Sequence, residues 1–218
     1  MSVFHNNALI GAGGGAAAAA AAGPIKSLRF NSGDSAFLNR TPSSAGNRRT
    51  FTWAGWVKNV PDGTYRALIE GYAGSEAASV RTSFQLNNTN QLDILFDNTS
   101  SGRLVTTAVF RDPSAWYHIV IAVDTTQATA SNRIKVYVNG SQITDFSTET
   151  YPSQNYQTGI NNNQPHYINR VADPLYGSWY AADLFLIDGQ QLDPTSFGAF
   201  DSSGVWQAAE YTGTFGTN

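Results

Sequence analysis

The stretch that decides the fold reads Trp116-Tyr117-His118-Ile119-Val120-Ile121-Ala122-Val123-Asp124. Successive side chains of a β-strand point to opposite faces. One face therefore carries Tyr117, Ile119, Ile121 and Val123. The reverse face is also apolar, because it carries Val120 and Ala122. This pattern predicts a strand that is covered on both sides.

A second stretch has the same period of two and reads Thr50-Phe51-Thr52-Trp53-Ala54-Gly55-Trp56-Val57-Lys58. Phe51, Trp53 and Val57 share one face with the small Gly55, and Trp56 points to the other face. Alternating bulky apolar residues of this kind are typical of a core strand.

A hairpin is predicted further along the chain. Arg133 to Val138 alternates cleanly and meets Asn139-Gly140, after which the pattern resumes at Gln142-Ile143-Thr144. Asn-Gly between two alternating runs favours a two-residue type I′ turn.

Turn residues bound further short runs with strand character. The predicted strands are Ser27–Asn31, Tyr65–Tyr72, Val80–Asn87, Leu92–Asp97, Arg103–Phe110, Tyr167–Arg170 and Tyr180–Ile187. A single short helix is predicted at Asp193–Gly198, with Asp193 as the cap and Pro194 at the first position. The sequence therefore predicts an all-β, antiparallel two-sheet β-sandwich of the jelly-roll kind.

Composition excludes several functional classes. The formal net charge is −3, and the 13 Lys and Arg residues are scattered, which argues against nucleic acid as a partner. The chain has no cysteine, so it has neither a disulfide framework nor a thiolate metal site. Charged residues make up only 13% of the sequence.

The N-terminal segment has a different composition from the rest. Gly11 to Gly15 are mostly glycine, and seven alanines follow from Ala16 to Ala22. We expect residues 1–24 to form a flexible arm, or one that becomes ordered on assembly, ahead of a sandwich domain at residues 25–218. A signal peptide is the alternative, although no Lys or Arg precedes the glycines. The alanine run is too short and weakly apolar to span a membrane.

Four segments resemble the laminin-G and concanavalin-like family of lectins and glucanases. They are Phe51-Thr52-Trp53-Ala54-Gly55-Trp56-Val57, Trp116-Tyr117-His118-Ile119-Val120, Ile134-Lys135-Val136-Tyr137-Val138-Asn139-Gly140 and Ala182-Asp183-Leu184-Phe185-Leu186-Ile187-Asp188-Gly189. The resemblance covers most of Ile25 to Phe200. It implies a laminin-G-like sandwich and makes Trp116-Tyr117-His118 a structural signature.

A narrower resemblance, to virion structural proteins of marine tailed bacteriophages, lies toward the two ends. It rests on Phe4–Gly11, Leu28–Asn31, Asp34–Leu38, Arg40–Pro42, Gly46–Thr50, Leu192–Gly198 and Glu210–Asn218. It implies a capsid decoration or a tail or fibre component, displayed on the surface of the head or tail. The implied partners are other virion proteins, bound through the arm, further copies of the chain in a trimer, and host-surface glycans.

A different class of function is also open, that of a carbohydrate-binding domain in a secreted or cell-surface protein. Glycoside hydrolysis is not expected, because it uses paired carboxyl groups and no Glu-x-Asp-x-Glu run is present. The nearest arrangement is Asp93 and Asp97, which alternation places on one strand face. We interpret them as solvated or turn-capping residues, so no catalytic residue is assigned.

No metal site is assigned either. His118 lies within a strand, and His5 and His166 lie in loop-like contexts, without the spacing of zinc ligands. The oxygens of Asn161-Asn162-Asn163 and Asp97-Asn98-Thr99 suit calcium, but each run fits a polar turn equally well. We therefore expect no cofactor.

Aromatic side chains in loops give the best indication of function, since their rings can stack on the apolar faces of sugars. The candidates for carbohydrate binding are Tyr65, Tyr72, Tyr151, Tyr156, Tyr176 and Trp179. Each also fits a half-buried strand-end residue or an interface contact.

Overall fold

A computed structural model describes residues 26–74, 80–97, 101–172 and 175–216. The predicted arm at residues 1–24 lies outside the described residues, as do His5, Asn98 and Thr99. The described strands are β1 (Leu28–Phe30), β2 (Leu38–Arg40), β3 (Thr50–Val60), β4 (Arg66–Gly71), β5 (Thr82–Leu86), β6 (Gln91–Phe96), β7 (Arg103–Val109), β8 (Tyr117–Asp124), β9 (Ile134–Val138), β10 (Ser141–Ile143), β11 (Phe146–Thr150), β12 (His166–Ile168), β13 (Ser178–Asp188), β14 (Gly198–Phe200) and β15 (Trp206–Ala208).

Two antiparallel sheets form a sandwich. The six-stranded sheet has the order β1-β13-β3-β8-β9-β10, and the seven-stranded sheet has the order β11-β7-β6-β5-β4-β12-β2. Strands β14 and β15 form a separate hairpin. The predicted all-β, antiparallel two-sheet sandwich is confirmed.

The main core lies between the two sheets, where the predicted alternation places it. Phe51, Trp53 and Val57 of β3 pack with Ile119 and Ile121 of β8. They face Phe84, Leu92, Ile94 and Leu104 of the seven-stranded sheet. These side chains are almost fully buried, as close packing of aligned sheets requires.

The C-terminal segment covers the outer face of the six-stranded sheet. Phe197 packs against Ala54, Val120 and Ile187, and Trp206 of β15 packs against Trp56. The 3₁₀ turn Pro194–Ser196 begins at Asp193, whose side chain accepts from the Thr195 backbone N–H, as predicted. This covering by the C-terminal segment, which we call the C-terminal cover, explains why β8 is apolar on both faces.

The predicted Asn139-Gly140 turn is present, with positive φ angles of 48° and 79° between β9 and β10. The values fit the type I′ turn that the dipeptide favours. A Cβ atom at position 140 would also overlap the ring of Trp206. The hairpin therefore positions the C-terminal cover as well as turning the chain.

Alanine at position 140 is expected to lower the free energy of unfolding by roughly 2–4 kcal/mol, because it combines an unfavourable backbone conformation with a clash. Gly63→Ala is the matched control, since φ is 75° there and nothing lies within 4 Å of its Cβ position. It should cost roughly 1 kcal/mol. Urea denaturation of both variants measures the difference, and equal losses would contradict the contact with Trp206.

Candidate functional site

A basin on the outer face of the seven-stranded sheet is the best candidate for a binding site. It has a volume of about 280 Å³ and is lined by Tyr65, Arg81, Gln85, Asp93, Leu95, Arg103, Val171 and Leu175. We call it the arginine basin. Register explains why these side chains meet: Gln85 pairs with Asp93, and Asp93 pairs with Val105 two residues along β7 from Arg103.

The overhanging wall of the basin comes from a distant part of the chain. Val171 and Leu175 form an antiparallel bridge in which the Val171 backbone N–H donates to the Leu175 carbonyl at 3.2 Å. Leu175 is 42% exposed, whereas Val171 is buried. Tyr65 lies immediately before β4 and is half-buried.

Two buried carboxylates lie at this face of the sheet, and each is bound by one arginine. Arg103 donates to Asp93 from Nε at 2.9 Å and from Nη2 at 2.8 Å. Arg81 donates from Nε to Glu70 at 3.1 Å. The carboxylate side chains are 0% exposed, whereas those of Arg103 and Arg81 are 30% and 21% exposed. The arginines therefore form the accessible charged surface.

Hydrogen bonds from uncharged side chains complete this network. Gln85 donates from Nε2 to Asp93 at 3.2 Å, and its Oε1 accepts from the Ser83 hydroxyl at 3.2 Å. The bond to Asp93 raises the pKa of Arg103. Burial raises the pKa of Glu70, while the charge of Arg81 opposes that rise. The interpretation of Asp93 as a solvated residue is wrong, because the side chain is buried in an ion pair.

The strand-face prediction for Asp97 is also wrong. Strand β6 ends at Phe96, and Asp97 has a φ of 58°. It therefore lies past the strand and outside the Asp93 network. The two aspartates do not form a pair on one strand.

Aromatic residues form a ledge at the β12 end of the same sheet. Phe37 lies 6.2 Å from Tyr167 and 5.9 Å from Tyr176, measured between ring centroids. The Arg170 guanidinium lies 4.5 Å from the centroid of Tyr167. Tyr167 pairs with Glu70 across β12 and β4, which connects this ledge to the basin network.

The six predicted sugar-stacking residues do not form one site. Tyr65 lines the basin, and Tyr176 belongs to the ledge. Tyr151 and Tyr156 are half-buried against the main core, and Tyr151 donates to Glu149 at 3.0 Å. The Tyr72 backbone N–H donates a hydrogen bond to the Pro165 carbonyl at 3.0 Å. These five tyrosines all lie outside the strands, and β4 is one residue shorter at each end than the predicted strand Tyr65–Tyr72.

The prediction that Trp179 can stack on a sugar is wrong. It lies in β13 rather than in a loop, is 0% exposed and stacks on Phe30 at 5.0 Å. Its indole N–H donates to Asn169 Oδ1 at 2.9 Å. A side chain enclosed in this way has no face available to a sugar, so Trp179 is a core residue.

The histidines have structural contacts. His118 is 2% exposed and its Nδ1 accepts from the Trp206 indole N–H at 3.1 Å. Burial lowers the pKa of His118 to about 4. The prediction that His166 lies in a loop is wrong, because this residue begins β12. Its Nε2 accepts from the Asn161 backbone N–H at 3.0 Å.

The described residues offer no group of three His, Asp or Glu side chains arranged to hold a metal ion. Asn161, one of the calcium candidates, donates from Nδ2 to Asp188 at 3.0 Å and to the Asn47 carbonyl at 3.3 Å. Its amide therefore connects its own loop to the loop that contains Asn47 and to the end of β13. Within the same described ranges, no helix is long and apolar enough to cross a membrane.

A larger cavity of about 520 Å³ opens at the β2 edge. Its wall is formed by the apolar Leu38, Pro42, Ile69, Ile168 and Leu186, together with Asn39, Arg40, Asn161 and His166. It contains none of the predicted sugar-stacking residues. Its largely apolar wall suits a sugar less well than the hydrogen-bonding groups of the basin.

Sequence reasoning missed Arg81, Gln85 and Arg103. A signal for them was present, because Arg81, Ser83 and Gln85 alternate with the core residues Thr82, Phe84 and Leu86. Polar residues at successive outward positions of one strand mark a polar sheet face. The position of Val171 and Leu175 beside that face has no such signal.

Comparisons with known proteins agree with this architecture. Residues 30–181 match a model of the concanavalin A-like lectin/glucanases superfamily. The fold is similar to that of domains LG4-5 of the mouse laminin alpha1 chain, with a TM-score of 0.50 and 12% identity over 82% of this chain and 46% of that one. No curated protein sequence matches significantly.

Two further solved structures show weaker likeness. A Ruminococcus gnavus IT-sialidase CBM40, bound to alpha2,3 sialyllactose, has a TM-score of 0.43 and 14% identity over 66% of this chain and 89% of that one. Trypanosoma rangeli sialidase has a TM-score of 0.47 and 15% identity over 68% of this chain, which spans only 22% of that enzyme. Because the family model covers well over half of its residues, this chain belongs to the concanavalin A-like lectin/glucanases superfamily.

Proposed function

We propose that this lectin-like domain binds glycans in the arginine basin and does not cleave them. The observation that carries the proposal is the burial of both carboxylates beneath arginines that remain partly exposed. Hydrolysis needs a carboxyl group within hydrogen-bond reach of the glycosidic oxygen, and neither Asp93 nor Glu70 offers an accessible one. The accessible groups are hydrogen-bond donors and the ring of Tyr65, which suit binding.

A glycan microarray tests this function, together with an assay for reducing ends released from the bound glycans. We expect saturable binding and no release. Tyr65→Ala should weaken binding about tenfold, because stacking on an aromatic ring contributes on the order of 1 kcal/mol. Tyr151→Ala is the matched control outside the basin and should bind normally. Release of reducing ends, or equal losses in both variants, would contradict the proposal.

We infer further that the domain is displayed on a virion, as a capsid decoration or a tail or fibre component. The narrower resemblance to phage structural proteins supports this inference. Two of its segments, Leu192–Gly198 and Glu210–Asn218, contain Phe197, Tyr211 and Phe215, which belong to the C-terminal cover and lie beyond the matched residues 30–181. The alternative setting is a secreted or cell-surface protein that binds carbohydrate.

Mass spectrometry of purified particles distinguishes these settings. The virion proposal expects the chain in particles, loss of incorporation when residues 1–24 are deleted, and a trimer in sedimentation. Recovery only from the cell surface or the culture medium would favour the alternative. A monomer with and without residues 1–24 would contradict assembly through the arm.

A further inference from the structure

The arginine basin presents hydrogen-bond donors almost without acceptors. Arginine carries five N–H donors and no acceptor. Asp93 and Glu70 are buried and already bound, and Gln85 Oε1 accepts from Ser83. Among the described residues that line the basin, the Tyr65 hydroxyl is therefore the main accessible side-chain acceptor. The hydroxyls of a neutral sugar both donate and accept hydrogen bonds. Most of their O–H donors would find no acceptor in the basin.

Each guanidinium also has one edge already fixed. Arg103 uses Nε and Nη2 on Asp93, and Arg81 uses Nε and, at 3.5 Å, Nη2 on Glu70. The Nη1 groups of both arginines have no hydrogen-bond partner among the described residues. The outer edge formed by Nη1 and the second Nη2 hydrogen is the geometry that binds a carboxylate or a sulfate through two parallel bonds.

From this arrangement we propose that the basin selects glycans carrying an anionic oxygen group, a carboxylate or a sulfate. The inference rests on the proposed glycan-binding function and names its ligand class. The buried carboxylates hold the two guanidiniums in place, so little side-chain entropy is lost when the anion binds. Tyr65 supplies a ring beside the charged group, and Leu175 closes the wall.

Titration calorimetry with matched pairs of oligosaccharides tests the ligand class. One pair is oligogalacturonate and its methyl ester, and the other is a sulfated galactan oligosaccharide and its desulfated form. We expect at least one acidic member to bind ten or more times tighter than its neutral counterpart, with affinity falling as salt increases. The pair that shows this difference identifies the group as carboxylate or sulfate.

Substitutions locate the effect in the basin. Arg103→Gln and Arg81→Gln should each reduce acidic-glycan affinity tenfold or more, and Arg103→Lys should recover part of it. Arg103→Gln leaves Asp93 buried without its cation, so Asp93→Asn combined with Arg103→Gln provides a neutral version if the single variant unfolds. Arg29→Gln, on the edge strand β1 of the other sheet, is the matched control and should bind normally.

The failures can be told apart. Equal binding of acidic and neutral oligosaccharides, lost in Tyr65→Ala, would overturn the anionic specificity and leave the glycan-binding function intact. Acidic-glycan binding that is unaffected by the two basin substitutions would overturn the assignment to the arginines. No binding in either pair, with no microarray signal, would overturn both proposals.

Discussion

Replacing Trp179 with alanine is expected to lower the free energy of unfolding by roughly 3–5 kcal/mol. The side chain is fully enclosed, stacks on Phe30 and donates to Asn169, so alanine leaves a large cavity and removes a buried hydrogen bond. This is a large share of the roughly 5–15 kcal/mol that stabilises a typical domain. Denaturant unfolding followed by fluorescence measures the loss.

Two control variants separate packing from hydrogen bonding and from ligand contact. Trp179→Phe keeps an aromatic ring but lacks the N–H, so its cost should be less than half that of alanine. Tyr176→Ala removes a half-buried ring of the ledge and should cost about 1 kcal/mol or less. A stable Trp179→Ala variant that has lost only glycan binding would return Trp179 to the set of sugar-contacting residues.

The domain is expected to lose roughly 2–3 kcal/mol of stability on going from about pH 7.5 to about pH 4.5 through His118 alone. In the folded protein the pKa of His118 is lowered from 6.5 to about 4 by burial. Between these values the unfolded chain binds a proton that the folded domain does not, so stability falls as pH falls. Well above pH 6.5 the histidine is neutral in both states and has no effect.

His118→Gln is the variant that tests this assignment, because an amide oxygen can still accept from the Trp206 indole N–H. Its stability should depend less on pH in the same window. Burial also lowers the pKa of His166, so a smaller slope of the same sign should remain. Trp206→Ala should raise the pKa of His118 toward 6.5 in NMR titrations. An identical pH profile for the wild type and His118→Gln would contradict the account.

Much of the fold could be predicted, because the residues that determine it are close in sequence. Alternation in the segments containing Trp53 and Ile121 identifies two central strands and their core faces. The Asn139-Gly140 dipeptide fixes a turn through the positive φ angles that it tolerates. The apolar residues on both faces of β8 predict that its outer face is covered, but they do not identify the segment that covers it.

Short strands were missed where few residues carry the pattern. Strands β2, β14 and β15 have only three residues each, and no longer alternating run or hairpin dipeptide beside them makes the period recognisable. Trp206 joins the outer face through Trp56 and His118, contacts that depend on tertiary packing. Propensity along a short segment contains no information about such distant partners.

The candidate site was predicted only in part, because its residues come from strands whose register is a property of the sheet. Tyr65 was identified as a loop aromatic, whereas Asp93 was misinterpreted as solvated. Arg103 reaches Asp93 only because β6 and β7 pair with a register shift between Gln91 and Asp93. Local sequence does not specify that shift, and it does not show that Val171 and Leu175 lie beside the basin.

The central claim is that a glycan binds on the outer face of the seven-stranded sheet. Amide chemical-shift mapping tests it most directly, during titration with the strongest-binding microarray glycan. We predict saturable shifts concentrated at Tyr65, Arg81, Gln85 and Arg103, with smaller ones at Leu175. Shifts concentrated instead around Leu38 and Ile168 in the apolar cavity, or the absence of any saturable shift, would contradict it.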